Sequence, residues 1–332
     1  MQIFYKLKVL NLSNSKDLTK SPNFLQVPHL EILILEGCTN LIEVHESIGH
    51  LEGLVSLNLE GCKKLRDLPR SICNLMSLEI LNLCGCLKLD KLPEQLGNII
   101  ALKELLADRT AIKQLPSSLG LLKNLKTVLL SGYEGESSNS WLSCFSSWIS
   151  PKSSVCKSLL PASVSRLCLL KRLYLRQCNL SEDGFPIDLG SLSSLRDLDL
   201  SRNDFHNLPN CISQLPKLAY LYLNDCTTLQ SISGLPPSLG IVYADDCTSL
   251  ERLSVLPNVK SRQFFFLRNC HNLVEIQGLV SLEPSSIIHM EGCNNLAFDF
   301  TESLLQVCSL SLFLCCFVLF YFCYVKLSRS NT

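Results

Sequence analysis

Eighteen of the 332 residues are cysteines, the residue type in this sequence with the widest chemical repertoire. Cysteine thiolates bind zinc, pair as disulfides and act as nucleophiles. Zinc sites commonly draw their ligands from C-x-x-C pairs, and the sequence contains no such pair. Instead, eight cysteines recur in one sequence context, each after a short apolar alternation. They are Cys38, Cys62, Cys86, Cys178, Cys226, Cys247, Cys270 and Cys293. This placement favours a structural role, with each thiol turned inward as a small buried residue and weak donor.

Other catalytic and cofactor-binding signatures are missing from the sequence. It has no G-x-x-x-x-G-K-S/T phosphate loop, no G-x-S-x-G elbow and no H-E-x-x-H helix, and its six histidines are scattered. We therefore predict no catalytic, cofactor-binding or metal-binding residues. Lysine plus arginine equals aspartate plus glutamate at 30 each, so no net charge attracts nucleic acid. Because the net charge does not favour nucleic acid, we predict that the partners are proteins.

The recurring cysteines belong to a longer repeat. The pattern L-x-x-L-x-L-x-x-(N or C), the leucine-rich-repeat signature, occurs about twelve times, with starts 21 to 25 residues apart except at one gap. Its L-x-L alternation predicts one short strand per repeat, with leucines stacking into a shared core. We predict an α/β leucine-rich-repeat solenoid over residues 1–298, a horseshoe with a parallel β-sheet on its concave face. The starts are Leu7, Leu30, Leu54, Leu78, Leu102, Leu125, Leu170, Leu195, Leu218 and Leu239, then positions near Arg262 and Ser285.

Between the strands, several repeats carry a second motif that begins with Leu-Pro, at Leu68, Leu92, Leu115, Leu160 and Leu208. Proline fixes φ and removes a backbone donor, so these segments are predicted to form irregular or short helical turns rather than strands. The gap in the repeat is rich in serine and contains Trp141 and Trp148. We interpret it as an inserted loop near residues 131–159, either a contact surface or an insertion whose rings pack on the solenoid.

Outward positions of the predicted strands supply the candidate binding surface. In the second half of the array these positions are rich in tyrosine and arginine, a composition typical of interface hot spots. A strand surface also favours tyrosine for its own sake, so a structural role stays open. One register is predicted to form a row across adjacent strands and holds Tyr174, Asp199, Tyr222 and Tyr243, where earlier repeats hold Asn11, Ile34, Asn58 and Asn82. The predicted patch comprises Arg172, Tyr174, Arg176, Asp197, Asp199, Arg202, Tyr220, Tyr222, Asn224, Tyr243 and Asp245.

Longer stretches point to a family. The segment KLKVLNLSNSKDLTKSPNF, the recurrent EGC-x-x-L, and the later LPPSLGIVYADDCTSLERLS and FFFLRNCHNLVEI resemble plant disease-resistance proteins over about residues 1–298. The resemblance is to the repeat region of intracellular receptors of the Toll/interleukin-receptor, nucleotide-binding, leucine-rich-repeat class. It implies that the repeats recognise a pathogen effector or inhibit the receptor's nucleotide-binding and signalling domains. Nucleotide binding and NAD cleavage belong to other domains of such receptors and transfer to no residue here.

The tail, residues 299–332, departs from the repeat. Residues 304–325 form an uncharged run of 22 residues, long enough to span a bilayer. Residues 1–15 lack the continuous apolar stretch of a secretory signal, so we expect cytoplasmic repeats with free thiols, anchored to a membrane if the tail inserts. A tail produced by a truncated or mis-spliced reading frame is the alternative. The main functional hypothesis is a recognition module of plant innate immunity, and the second is a non-enzymatic adaptor that tethers a signalling partner to a membrane.

Overall fold

The computed structural model describes residues 3–132, 159–180, 185, 187–255, 262–278, 282 and 286–296. The chain divides into two compact units, Met1–Leu170 and Lys171–Thr332. Most of the predicted insertion, with Trp141 and Trp148, lies outside the described residues, and so does the tail with its apolar run 304–325. In the described ranges, no helix has the length and apolarity that a membrane crossing needs.

The first unit is built on a ladder of six short parallel strands that pair in chain order. Leu33, Leu57 and Leu81, the central residues of three of these strands, face the core and are each 0% exposed. Residues on either side of these leucines face outward, as the period of two requires. The strands are β1 (Val9–Asn11), β2 (Ile32–Ile34), β3 (Ser56–Asn58), β4 (Ile80–Asn82), β5 (Glu104–Ala107) and β6 (Thr127–Ser131).

The second unit repeats this plan and adds a second sheet. Its repeat strands are β7 (Arg172–Arg176), β8 (Asp197–Asp199), β9 (Tyr220–Tyr222), β11 (Ile241–Tyr243), β13 (Phe264–Phe266) and β15 (Ile287–His289). They pair in parallel in that order. A separate three-stranded parallel sheet consists of β10 (Ser231–Ile232), β12 (Arg252–Ser254) and β14 (Glu275–Gln277). The predicted α/β leucine-rich-repeat solenoid is confirmed, and the second sheet was not predicted.

Short 3-10 helices return the chain between strands. Five of them follow a proline that occupies the N-cap, as the Leu-Pro motif predicts, because proline is preset to the extended backbone of that position. They span Arg70–Asn74, Glu94–Asn98, Ser117–Leu121, Ala162–Arg166 and Asn210–Gln214. Three further 3-10 helices in the described ranges span Phe24–Gln26, Glu46–His50 and Ile187–Ser191.

The strand ends in a sharp turn that needs a left-handed residue. Glycine fills this position in three repeats of the first unit, at Gly37, Gly61 and Gly85, with φ of 69°, 70° and 72°. The second unit has glycine there at Gly292, with φ of 84°, and places side chains there in other repeats, including Arg202 at φ 59° and Asp225 at φ 58°. A residue with a Cβ in this conformation costs about 1–2 kcal/mol relative to the right-handed region. Contacts made by the turn must therefore stabilise this left-handed conformation.

The residue after this turn position forms an internal ladder of thiols. Seven of the eight recurring cysteines are at most 1% exposed, and each donates its Sγ–H to a backbone carbonyl of the preceding repeat at 3.0–3.4 Å. Burial raises the pKa of the Cys62 and Cys226 thiols to about 12. All twelve cysteines in the described part of the chain are free thiols.

Cys178 is the exception among the eight, and the prediction that it turns inward is wrong. Its side chain is partly exposed, and its Sγ lies 3.4 Å from the Arg176 carbonyl oxygen of its own repeat. The turn here has left-handed residues at both Gln177 and Asn179, with φ of 55° and 51°. This second left-handed residue changes the path of the chain around the thiol. Asn203 of the next repeat accepts the Cys178 N–H at 2.9 Å.

Candidate protein-binding surface

The outward face of the second unit carries the predicted patch. Leu173, Leu198 and Leu221 point into the core at 0–1% exposure, so the residues that flank each of them point to solvent. Arg172, Arg176 and Tyr220 are exposed, whereas the other predicted strand residues are half-buried, namely Tyr174, Asp197, Asp199, Tyr222 and Tyr243. Half-buried rings keep their conformation before a partner arrives, which lowers the entropic cost of binding.

The strand register brings the predicted row together. Tyr174 pairs with Asp199, Asp199 with Tyr222, and Tyr222 with Tyr243. Three predicted residues lie elsewhere, since Arg202, Asn224 and Asp245 follow the ends of β8, β9 and β11 and belong to the turns rather than the strands. Their placement on strands was wrong because the repeat strands are only three residues long there.

The row continues two strands beyond the predicted patch, to Phe266 and His289. The rings of Tyr222 and Tyr243 stack with centroids 4.9 Å apart and planes 4° apart. Tyr243 stacks on Phe266 at 4.8 Å, and Phe266 stacks on His289 at 4.8 Å. Sequence reasoning missed the last two rings, although counting four residues from the degenerate repeat starts reaches both. We call Tyr222, Tyr243, Phe266 and His289 the aromatic row.

A second apolar column lies beside the aromatic row on the same four strands. It consists of Tyr220, Ile241, Phe264 and Ile287, which pair with one another in register. Tyr220 is 39% exposed and Ile287 is 45% exposed. The two columns together place eight mostly apolar side chains on the solvent face of β9, β11, β13 and β15. We call this surface the apolar patch, and it is a candidate surface for contact with a partner.

Burial and neighbouring side chains raise the pKa values of groups at one end of the aromatic row. Burial raises the pKa of Tyr222 to about 12, and the nearby Tyr174, Tyr243 and Asp197 add to that rise. Burial is also the largest cause of the raised pKa values of Tyr174 and Asp197. At neutral pH the phenols of Tyr174 and Tyr222 are therefore uncharged and keep their O–H groups as donors.

Ion pairs tie down the turns on one side of the apolar patch. Arg268 Nη2 lies 2.7 Å from Asp245 Oδ2, and the Arg268 backbone N–H donates to the same carboxylate at 2.8 Å. Arg202 Nε lies 3.1 Å from Asp225 Oδ2 in the turns of β8 and β9. The Asn224 side-chain oxygen accepts the Asp245 N–H at 3.0 Å. These contacts hold the left-handed turns and give the patch a polar rim.

Nothing in this arrangement forms a metal centre. Within the described ranges, no group of three or more histidine, cysteine, aspartate or glutamate side chains could hold a metal ion. The surface offers ring edges, phenol donors and rim charges, which suit recognition of another molecule by contact.

Comparison with known proteins identifies the repeat. The family of leucine-rich repeats of RPS4B-like disease resistance proteins matches residues 74–275. The chain belongs to this family. It is 34% identical to TMV resistance protein N of Nicotiana glutinosa, over 69% of this chain and 25% of that protein. It is 32% identical to disease resistance protein RPP5 of Arabidopsis thaliana, over 70% of this chain and 16% of that protein.

These matches confirm the resemblance inferred from the EGC-x-x-L repeats. Among solved structures, plant peptide hormone receptor RGFR1 in complex with RGF2 matches 88% of this chain and 54% of that chain, with a TM-score of 0.48 and 19% identity. The chain spans a quarter or less of the length of the two disease resistance proteins, at 25% and 16%.

Proposed function

We propose that this leucine-rich-repeat chain is a non-enzymatic recognition module of plant innate immunity that binds a protein through the outward face of its second unit. The observation that carries the proposal is the apolar patch, in a chain that belongs to a disease resistance family. Outward side chains that stay exposed to solvent contribute little to folding, so Tyr220 and Ile287 are free to serve binding. The predicted residues Arg172, Arg176, Asp197 and Asp199 border this patch on β7 and β8.

The partner in this proposal is a pathogen effector or the nucleotide-binding and signalling domains of a receptor. Tyrosine and phenylalanine supply large contact areas at low entropic cost, and arginine on the border adds charge-assisted hydrogen bonds. The net charge of zero supports a protein partner over nucleic acid. Repeats of this kind present residues from many turns of the chain to one ligand, which suits recognition of a folded surface.

The proposal is tested by proximity labelling in leaf tissue with the full chain fused to a biotin ligase. The test variant carries Tyr222→Ala and Tyr243→Ala, and the control carries Ile34→Ala and Ile80→Ala, half-buried outward positions of the first unit. We expect the test variant to lose about 2 kcal/mol or more of partner affinity, about 30-fold, and to lose labelled partners that the control retains. Identical labelling by all three proteins would reject the surface.

A membrane-tethering role is the second candidate function, favoured by the uncharged run at residues 304–325. In this proposal the repeats stay in the cytoplasm and hold a signalling partner near a bilayer. Deletion of residues 304–332 should then move the protein from the membrane fraction to the soluble fraction. Full-length protein that is monomeric in the soluble fraction without detergent would contradict the tether.

A further inference from the structure

We propose that the apolar patch is a docking site for one amphipathic α-helix of a partner protein, laid across strands β9, β11, β13 and β15. This inference rests on the proposed function and names the kind of segment that the surface accepts. Four observations carry it: the spacing of the rings, the direction in which their edges point, the size of the patch and the charge of its rim.

The spacing of the aromatic row matches a helix better than an extended chain. Its four rings follow one another in steps of 4.8–4.9 Å, about 14 Å from first to last. An α-helix advances about 5.4 Å per turn, so three turns keep one side chain near each ring. An extended segment presents a side chain to one face only every 6.6–6.8 Å, and it loses register with the rings within two strands.

The stacking of the rings dictates what can touch them. Planes that lie 4–12° apart cover the faces of Tyr243 and Phe266 on both sides, so a partner meets ring edges. Aromatic faces attract cations, but edges carry the positive side of the quadrupole and do not. Aliphatic side chains of a partner can lie between the two columns, whose residues are about 6.6 Å apart along each strand. A stripe of leucine, isoleucine or methionine on one helix face has this form.

The size of the patch limits its occupant. The two columns over four strands cover roughly 20 by 12 Å, about 240 Å², whereas a stable protein–protein interface takes about 800 Å² from each partner. A second copy of this chain docked through the patch alone would therefore bury too little surface. One helix face of three to four turns covers an area of this size.

The rim of the patch sets the orientation of the helix. On the side of the turns, Arg268 is paired with Asp245, and the carboxylates of Asp246 and Glu291 add negative charge, with Glu291 3.3 Å from His289. On the other side the residues before the strands are uncharged, at Ala219 and Gly240. The helix that fits is apolar along its centre and carries lysine or arginine on the flank that faces the turns.

The test selects binders for the immobilised full chain from two displayed peptide libraries. One library varies the exposed face of a stable helical scaffold, and the other presents unconstrained segments of 15 residues. We expect patch-dependent binders from the helical library, with an apolar stripe and basic residues on one flank. Phe266→Ala and Tyr220→Ala should each weaken them tenfold or more, while Ile34→Ala leaves their affinity unchanged.

Three results would overturn the helical occupant. They are the absence of helical binders, helical binders that tolerate both patch substitutions, and tighter patch-dependent binders with alternating apolar residues from the unconstrained library. Tyr220 is 39% exposed, so its substitution tests the surface even if Phe266→Ala lowers stability. The last of these results would leave the proposed function standing, because the patch would still bind a protein segment. Failure of the proposed function is judged separately by the proximity labelling.

Discussion

Replacement of Asn203 by cysteine is expected to destabilise the second unit, although seven other repeats hold a buried cysteine at this position. The Asn203 amide nitrogen donates to the carbonyl oxygens of Leu175 and Leu200, both at 2.8 Å, and its oxygen accepts the N–H groups of Cys178 and Leu180 at 2.9 and 3.1 Å. A thiol can replace one donor bond but offers only a weak acceptor. A buried N–H left without a partner costs about 1–3 kcal/mol. The buried N–H of Leu180 and the partly buried N–H of Cys178 together give an expected loss of about 2–4 kcal/mol.

The assay is urea unfolding of the full chain, followed by far-ultraviolet circular dichroism and by the exposure of buried thiols. Cys226→Ala is the matched control in the next repeat, where a single Sγ–H bond to the Leu200 carbonyl at 3.4 Å is removed. We expect the control to cost about 1–2 kcal/mol less than Asn203→Cys, since it removes one weak thiol donor and leaves the side-chain bonds of Asn203 in place. Equal losses for the two variants, or a loss below about 1 kcal/mol for Asn203→Cys, would refute this reasoning.

Three further outcomes are expected. Leu81→Ala should lower the free energy of unfolding by about 2–5 kcal/mol in the same urea assay, because this leucine is 0% exposed and leaves a cavity. Iodoacetamide should modify the exposed Cys168 well before Cys226, because burial shields Cys226 and raises its pKa to about 12. Equal modification rates of the two thiols by mass spectrometry would contradict the burial of the thiol ladder. Tyr222 should ionise near pH 12 by tyrosinate absorbance, a step that Tyr222→Phe removes. The unfolded chain loses this proton first, near pH 10, so the contribution of Tyr222 to stability is complete below pH 10 and falls between pH 10 and 12.

Most of the fold could be predicted because the L-x-L pattern of each repeat indicates which residues face the core. The L-x-L alternation placed Leu57, Leu81 and Leu198 in the core, and all three are 0% exposed. The second sheet was missed because its strands occupy the stretch that carries Leu-Pro in earlier repeats. Ser254 and Gln277 stand where those repeats have proline, and a residue with a backbone N–H can join a ladder there. The lack of proline at Ser254 and Gln277 was the available signal.

The candidate site was harder to predict, since outward residues follow no repeat consensus. The repeat register alone predicted the row through Tyr174, Tyr222 and Tyr243. Counting four residues from the later repeat starts would also have predicted Phe266 and His289. The burial of each ring and the ion pairs of the turns depend on side-chain conformations that the repeat pattern does not encode. Cys178 shows the same limit inside the core, because a second left-handed residue at Asn179 altered a turn whose sequence fits the pattern.

Stability alone could account for the aromatic row but not for the column beside it. Stacked aromatic pairs contribute about 0.5–1.5 kcal/mol each beyond burial, so the three stacks from Tyr222 to His289 would support repeats whose leucine pattern has become degenerate. Tyr220 and Ile287 gain little in this way, because 39% and 45% of their surfaces remain in water. Exposed apolar side chains at both ends of one column add little to folding and much to binding. Substitution of Tyr220 should therefore change partner affinity far more than unfolding free energy, whereas substitution of Phe266 should change both.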